Sequence, residues 1–334
     1  MSDIYALNAF QAPKNGCSVA LGFFDGVHKG HQQILSRTLE MASAQAEEGA
    51  ALLPIVYSFA NHPSEVLYPQ RRLELLSTAE ERWERLCASG LKGVCERFTP
   101  ELAAWEPRAF FERVLLQRLR ARVIVCGPNY RFGRGAAGTP QQLEEWGREC
   151  GLQVCRVGMA SYKGETISSS RLRAAVRAGK MRDAKAMLGE PFKISNTVER
   201  GQQLGRRWGF PTANLEWPAE KVAPAWGAYA CLVRLPDGQM RPAVGYLGSR
   251  PTLNQSEPEV RLEVNIGNWS QGVPRWDERC WTEDDEGELM LYGQRLTVYF
   301  LELLAPQRRC ENMDALRRHV FHCRQLADQL GAFK

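Results

Sequence analysis

Two histidines at the start of a predicted helix are the first side chains in this chain that could do chemistry. The run Gly22-Phe23-Phe24-Asp25-Gly26-Val27-His28-Lys29-Gly30-His31 ends a short apolar strand and leads into helical spacing. Its glycines let the backbone approach phosphate oxygens, its helix start offers oriented N–H groups, and its imidazoles can donate to a phosphoryl group in transfer. An isolated H-x-x-H is more often a weak metal pair or a polar helix start, but the strand and glycines favour a triphosphate site.

A second polar run, Ile167-Ser168-Ser169-Ser170-Arg171-Leu172-Arg173, lies 140 residues further on. Serines at this place are most often simple helix caps. The two arginines that follow could also hold phosphate groups. Alone this signal is weak, so it gains weight only when it is paired with the histidine run.

A third group of candidates lies in the second half of the chain. Gly201 and Gly205 stand beside the basic Arg206, which suits phosphate binding, and Thr212 and Asn214 offer oxygen atoms to a hard cation such as Mg²⁺. Glu263 lies on a predicted strand and could remove a proton from an alcohol. The alternatives are a turn-rich hairpin bent at Pro211 and a solvated strand glutamate.

The elements around these residues indicate two domains. Residues 1–186 alternate short apolar strands with helices, which predicts a Rossmann-like α/β fold around a parallel sheet. Residues 187–334 carry short β segments, an Asp237-Gly238 hairpin signal and a terminal helix, which predicts a mainly antiparallel β-barrel. Residues 267–288 show no periodicity and are interpreted as a long loop.

Composition narrows the classes of protein further. The 334 residues carry a net charge of +5, which suits phosphate-rich substrates but is far from the basic stripe of a nucleic-acid binder. The ten cysteines form no C-x-x-C pair, so we expect small buried side chains in a reducing compartment. With no signal peptide and no long apolar run, we expect a cytoplasmic protein with neither membrane nor nucleic-acid partners.

Taken together, the histidine and serine–arginine runs resemble the paired signatures of the HxGH nucleotidyltransferases. More closely, the chain is similar to the bacterial bifunctional riboflavin kinase/FAD synthetase family over nearly its whole length. Supporting stretches are Ser58-Phe59-Ala60-Asn61-His62-Pro63, Leu75-Leu76-Ser77-Thr78-Ala79-Glu80-Glu81-Arg82, Gly127 to Gly135, Pro211-Thr212-Ala213-Asn214 and Leu291-Tyr292-Gly293.

The resemblance implies two ATP-dependent reactions, phosphorylation of riboflavin to FMN and adenylylation of FMN to FAD, with Mg²⁺ at the kinase site. It implies catalytic roles for His28, His31 and Glu263, and metal contacts at Thr212 and Asn214. The flavin would contact His62, Asn129, Arg131 and Phe132. The nucleotide phosphates would be held by Gly22, Phe24, Asp25, Gly26, Gly30, Ser169, Arg171, Arg173, Gly201, Gly205 and Arg206.

The chain also departs from the usual residues of that family at Asn129, Asn196, Asn265, Ala305 and Cys323. Two alternatives to the bifunctional enzyme therefore remain open. One is a divergent paralogue with one active half or a modified flavin substrate. The other is a flavin-binding regulator without turnover. The oligomeric state and the rates do not follow from the sequence.

Overall fold

The structure, a computed structural model, divides into two compact units, Met1–Ser169 and Ser170–Lys334. It describes residues 4–47, 51–71, 73–200, 212–250, 259–270, 273–276, 291–308, 313–331 and 333. No helix among these residues is both long and apolar enough to cross a membrane.

A six-stranded parallel sheet is the centre of the first unit, as the alternating pattern predicts. Its strands are β1 (Ile4–Ala6), β2 (Cys17–Leu21), β3 (Leu53–Phe59), β4 (Lys92–Glu96), β5 (Ala121–Cys126) and β6 (Gln153–Arg156). They lie in the order β1-β4-β3-β2-β5-β6. After β2 the chain adds β3 and β4 on one side of that strand, and it later adds β5 and β6 on the other side. Open parallel sheets bind ligands at the carboxyl ends of the two strands where the strand order reverses, which here are β2 and β5.

Helices cover both faces of this sheet. They are α1 (Lys29–Glu47), α2 (Pro63–Leu67), α3 (Ala79–Cys87), α4 (Pro100–Ala103), α5 (Pro107–Phe110) with a π-helical continuation at Phe111–Arg118, and α6 (Pro140–Cys150). A hairpin of β7 (Ser161–Tyr162) and β8 (Glu165–Thr166) follows β6. The capping box of α3 is formed by Thr78 and Glu81. Ser77 and Glu80 also have capping-box spacing, but Ser77 accepts instead from the backbone N–H of Gly26.

The second unit is an antiparallel sheet preceded by two helices and followed by one. Its elements are α7 (Ser169–Arg177), α8 (Met181–Leu188), β9 (Phe192–Thr197), β10 (Ala213–Glu216), β11 (Gly227–Arg234), β12 (Met240–Arg250), β13 (Glu259–Ile266), β14 (Asn268–Ser270), β15 (Val273–Arg275), β16 (Arg295–Pro306) and α9 (Met313–Gln329). Six strands pair in the order β10-β13-β12-β11-β16-β9, and a bridge between Glu199 and Asn214 brings the two edges together. The nearly closed antiparallel barrel with a terminal helix confirms the predicted fold class.

Strand alternation decides which side chains face the interior of this barrel. Leu262 and Val264 on β13 are fully buried, and so are Val298 and Phe300 on β16. Because neighbours on a strand point to opposite faces, Glu263 lies on the outer face. Helix α9 packs against that face, since Arg324 donates to the side chain of Asn265.

Two expectations need correction. The predicted loop at 267–288 begins with an ordered hairpin, in which β14 pairs with β15; its residues 271–272 and 277–288 lie outside the described part of the chain. The cysteines are not uniformly buried, because Cys150 is exposed and three others are half-buried, while Cys280 and Cys310 lie outside the described residues. Among the residues that the structure describes, no cluster of three His, Cys, Asp or Glu side chains could hold a metal ion.

Candidate active sites

A pocket of about 220 Å³ opens in the first unit at the carboxyl ends of β2 and β5. The turn after β2 lines one side with Gly22, Phe24 and His31, and the turn after β5 lines the other with Gly127 to Tyr130. Ile167, from the serine–arginine run, closes a third side. Residues more than 130 positions apart in sequence therefore meet at the ligand-binding edge of a parallel sheet.

The turn between β2 and α1 is held in an unusual conformation. Phe24 and Val27 have φ angles of 62° and 40°, in the left-handed region that non-glycine residues rarely adopt. Side chains from distant segments hold the turn in place: the carboxylate of Asp25 accepts from Leu76 N at 2.8 Å, and Arg85 donates to Gly26 O at 2.9 Å. A strained backbone of this kind persists only where contacts with the surrounding structure hold it in place, as happens at many functional sites.

His28 and His31 stack on one another with ring centroids 3.6 Å apart. His28 Nδ1 accepts from the backbone N–H of His31 at 3.3 Å, which leaves the proton of the neutral ring on Nε2. Burial lowers the pKa of His28 to about 4. Burial first, and then the charges of His28 and Arg85, hold the pKa of His31 well below its usual range. Both rings are therefore neutral hydrogen-bond donors at neutral pH.

Gly30 and Ser169 support this pair. A Cβ atom on Gly30 would lie 3.3 Å from the His28 ring, so glycine allows the imidazole to fold over the helix start. Ser169 Oγ donates to the carbonyl of Asp25 at 3.3 Å and ties the serine run to the turn. Arg171 and Arg173 lie on α7 in the second unit, where Arg173 contacts Ser170. Their assignment to the nucleotide stays a prediction.

Arg82 is a residue whose importance the sequence did not reveal. It is 2% exposed, and it donates to the carbonyls of Phe23 and Phe59, to that of Ala60, and to Ser58 Oγ. Its guanidinium also lies 4.0 Å from the centre of the Phe23 ring. It thereby joins the ends of β2 and β3. The only sequence signal was its place at the end of the Leu75 to Arg82 stretch.

The four residues assigned to the flavin lie in different surroundings. His62 caps α2 and packs edge-on against Phe23 at 4.4 Å. Asn129 is exposed and lines the pocket of the first unit, and Arg131 is exposed nearby. Phe132 is buried in the aromatic core against Phe110. The structure therefore brings Asn129 into the pocket and leaves the flavin role of all four as a prediction.

The second constellation is assembled by strand register. Asn214 on β10 lies directly opposite Glu263 on β13, and Glu263 lies directly opposite Tyr246 on β12. Directly paired residues present their side chains on the same face of a sheet. Thr212, half-buried, immediately precedes β10, and its carbonyl accepts from Asn214 Nδ2 at 3.3 Å. The structure thus brings two predicted residues that are 49 positions apart in sequence, Asn214 and Glu263, into one row of side chains, with Thr212 next to Asn214.

A second pocket, of about 200 Å³, lies beside this row in the second unit. Glu263, Tyr246 and Arg261 line it from the sheet, Gln307 and Arg308 from the segment after β16, and His319 from α9. Burial lowers the pKa of His319, with smaller contributions from the charges of Arg308 and His322. His319 was not identified from the sequence, because a lone helical histidine carries no motif. The phosphate candidates Gly201, Gly205 and Arg206 lie outside the described residues.

Three of the departures from the family pattern meet beneath α9. Cys323 packs with Ala228 and Val244 in a small apolar cluster that Ala305 borders. Asn265 lies opposite Val244, and its Oδ1 accepts from Arg324 Nη2 at 2.7 Å. Asn196 lies apart from them on β9, where it donates to Glu216 O. The changes at 265, 305 and 323 therefore form one compact, mutually packed set.

The fold and these two sites define a two-domain nucleotide-dependent transferase, in which a nucleotidyltransferase-type α/β unit precedes a flavokinase-type barrel. The FAD synthetase family model matches residues 10–171, and the riboflavin kinase model matches residues 188–329. The chain belongs to the bifunctional riboflavin kinase/FMN adenylyltransferase family.

Individual relatives agree with this assignment. The bifunctional riboflavin kinase/FMN adenylyltransferase of Escherichia coli K12 is 30% identical over 94% of this chain and 92% of its own. That of Pseudomonas fluorescens is 30% identical over 96% and 94%. A crystal structure from Streptococcus pneumoniae, titled a macrolide-efflux protein, superimposes with a TM-score of 0.81 at 25% identity, covering 98% of this chain and 99% of that one.

Proposed function

We propose that this chain makes FAD from riboflavin in two ATP-dependent steps, one in each unit. The second unit phosphorylates the terminal hydroxyl of the ribityl chain of riboflavin. The first unit transfers AMP from ATP to the FMN phosphate. The observation that carries the proposal is that each unit brings predicted reactive residues together, the stacked histidines in one and the Asn214–Glu263 row in the other.

In the first unit, an FMN phosphate oxygen attacks the α-phosphorus of ATP, and pyrophosphate leaves. Negative charge accumulates on the oxygens of the transferring phosphate, where neutral imidazole N–H groups can donate. His28 and His31 take this role, with no covalent intermediate. Gly22, Gly26 and Gly30 allow the phosphates close to the backbone, while Phe24, Asp25 and Ser169 complete the nucleotide site of this unit.

In the second unit, Glu263 accepts the proton of the ribityl hydroxyl while the alkoxide oxygen attacks the γ-phosphorus of ATP, and ADP leaves. The glutamate is half-buried on a strand, which gives a general base the fixed position it needs.

The residues around Glu263 suit a divalent cation. A hydroxyl, an amide and a carboxylate are the oxygen ligands that a hard cation prefers. Asn214 is 5% exposed, and its amide is oriented by the bond to Thr212, so Thr212 and Asn214 would hold the ion, which we propose to be Mg²⁺. When bound, such an ion would neutralise charge on the ATP phosphates.

Incubation with riboflavin, ATP and Mg²⁺, followed by chromatographic separation of FMN and FAD, tests the proposal. Both products are expected. A protein that makes FAD from supplied FMN but no FMN from riboflavin would show that only the first unit is active, as the changes around Asn265 would allow. Flavin binding without either product would identify a regulator.

A further inference from the structure

Another cleft in the first unit shares no lining residue with the histidine pocket. It measures about 530 Å³ and opens at the carboxyl ends of β1 and β4, at the far side of the sheet from β5. Backbone segments Ala6 to Asn8 and Cys95 to Arg97 form its floor, and Trp105, Arg113 and Arg118 come from the α4–α5 region and the π-helix. None of the sequence motifs contributes a residue to it.

Three guanidinium groups, those of Arg97, Arg113 and Arg118, line this cleft. Arg118 is held in place because its Nε donates to Leu7 O at 2.9 Å and its Nη2 donates to Asn8 O. Arg113 lies over the ring of Trp105, with its central carbon 5.1 Å from the ring centroid. Stacking on an aromatic ring leaves the N–H groups at the edge of a guanidinium directed outward in a planar fork.

The charge of this cleft is positive. Among the described residues, neither Arg97 nor Arg113 has a carboxylate within ion-pair distance. The one carboxylate in the lining belongs to Glu96, which accepts from the hydroxyl of the buried Tyr57. Burial raises the pKa of Glu96, and the hydrogen bond from Tyr57 opposes that shift. The three guanidinium charges are therefore only partly offset.

From this arrangement we propose that the cleft binds the diphosphate group of a small phosphorylated molecule, at a site separate from the His28–His31 pocket. Guanidinium N–H groups bind phosphate oxygens, and Arg97 and Arg113 can each present a planar fork, whereas Arg118 offers only the N–H groups that it does not donate to Leu7 and Asn8. A diphosphate supplies enough oxygens and charge for all three arginines. The group could belong to free pyrophosphate or to a nucleoside diphosphate. Both are released by the two reactions proposed above, although the binding site itself does not depend on those reactions.

Fluorine NMR of the full chain labelled with 5-fluorotryptophan tests this proposal at the cleft itself. The protein has nine tryptophans, and the Trp105 resonance is assigned by its loss in Trp105→Phe. At physiological salt, where weak surface attraction is screened, pyrophosphate or ADP should shift the Trp105 resonance saturably. Inorganic phosphate and AMP should shift the same resonance only at much higher concentration. If pyrophosphate shifts the Trp105 resonance, the site binds the free anion. If ADP shifts it and pyrophosphate does not, the site binds only a nucleoside diphosphate.

Variants separate this site from the nucleotide pocket. Arg97→Ala and Arg113→Ala should each weaken the response at least tenfold, the loss expected for one charged hydrogen bond. Arg148→Ala, an exposed arginine on α6, is the matched control and should leave it unchanged. The double variant His28→Ala/His31→Ala should also keep the Trp105 response. The proposal would be overturned if no ligand shifted the Trp105 resonance saturably. It would also be overturned if the shift disappeared in the double histidine variant but persisted in both arginine variants.

Discussion

At the scale of single residues, the proposed chemistry depends on how deeply each side chain is buried. The two stacked imidazoles are neutral because burial lowers the pKa of both, and the buried His31 Nδ1 has no hydrogen-bond partner among the residues that the structure describes. Glu263 differs, since it is half-buried beside a pocket and remains accessible to a substrate. Each residue type therefore gains its chemistry from its position.

Replacing His28 or His31 by Ala should remove FAD formation and leave FMN formation intact. Loss of one donor to a transition-state oxyanion typically costs about a hundredfold to a thousandfold in rate. Separate assays of FMN from riboflavin and of FAD from supplied FMN measure the two effects. Equal loss of both products would contradict the division of labour between the units.

Glu263→Gln should lower FMN formation by about a hundredfold to ten-thousandfold, because the amide keeps the shape but cannot accept the proton. Riboflavin and ATP should still bind, so the KM values should change far less than kcat. FAD formation from supplied FMN serves as the internal control. An unchanged kcat would make Glu263 an ordinary strand residue.

At the scale of elements, buried polar contacts hold the turn and the strand ends that form the first pocket. Arg82 on α3 bonds to the ends of β2 and β3, and Asp25 bonds to the segment before α3. These contacts hold the turn after β2 and the end of β3 beyond Leu21 and Tyr57, the last residues that pair between the two strands.

Arg82→Ala should lower the free energy of unfolding by on the order of 3 kcal/mol, because buried carbonyls lose their donor. The pKa of Arg82 is lowered by burial to about 10, so the wild-type side chain stays charged at neutral pH. Urea unfolding followed by circular dichroism measures the loss, with Arg148→Ala as a surface control. A stability equal to wild type would show that water replaces the guanidinium at no cost.

The histidine turn should also make stability fall as the pH is lowered. In the unfolded chain each histidine binds a proton near pH 6.5, whereas folded His28 does so only near pH 4. The stability that this difference provides is present above pH 6.5 and lost as the pH falls toward 4, by about 2 kcal/mol at pH 5 for His28 alone. Thermal unfolding from pH 7 to 5 should show a shallower fall in the variant His28→Gln/His31→Gln. Parallel curves would refute the depressed pKa values.

At the scale of the whole molecule, the question is where the second domain begins. The sequence places the boundary after residue 186, while the compact units meet at Ser169 and Ser170. Helix α8 buries Met181 and Ala184, and Arg182 forms an ion pair with Glu302 on β16. The segment before residue 187 thus contributes to the packing of the barrel unit.

We expect the fragment 187–334 to fold as a β domain, and the fragment 170–334 to be more stable. The longer fragment retains the burial of Met181, which is worth roughly 2 kcal/mol for a fully buried side chain. Thermal unfolding of both fragments by circular dichroism gives the comparison. An unfolded 187–334 would refute the predicted boundary, and equal melting temperatures would show that α7 and α8 are dispensable.

What the sequence by itself determined about this protein was the set of short-range signals. These signals were the strand and helix periods, the glycine–histidine turn, and the threonine–asparagine and glutamate motifs. Each could be recognised in the sequence because it depends on residues a few positions apart. They were sufficient to predict both fold classes and the family, which the structure and the comparisons confirm. The three-residue β1 and the hairpin β14–β15 were missed, because such short segments carry no period.

Only the tertiary structure decided how distant segments meet. Register placed Asn214 opposite Glu263, α9 brought His319 to the same pocket, and burial made the two histidines neutral. The bonds of Arg82 to separate strands, and the convergence of Arg97, Arg113 and Arg118 on one cleft, have no counterpart in any local pattern. The physical reason is that register, burial and charge proximity depend on the separation of residues in space, which spacing along the chain does not specify.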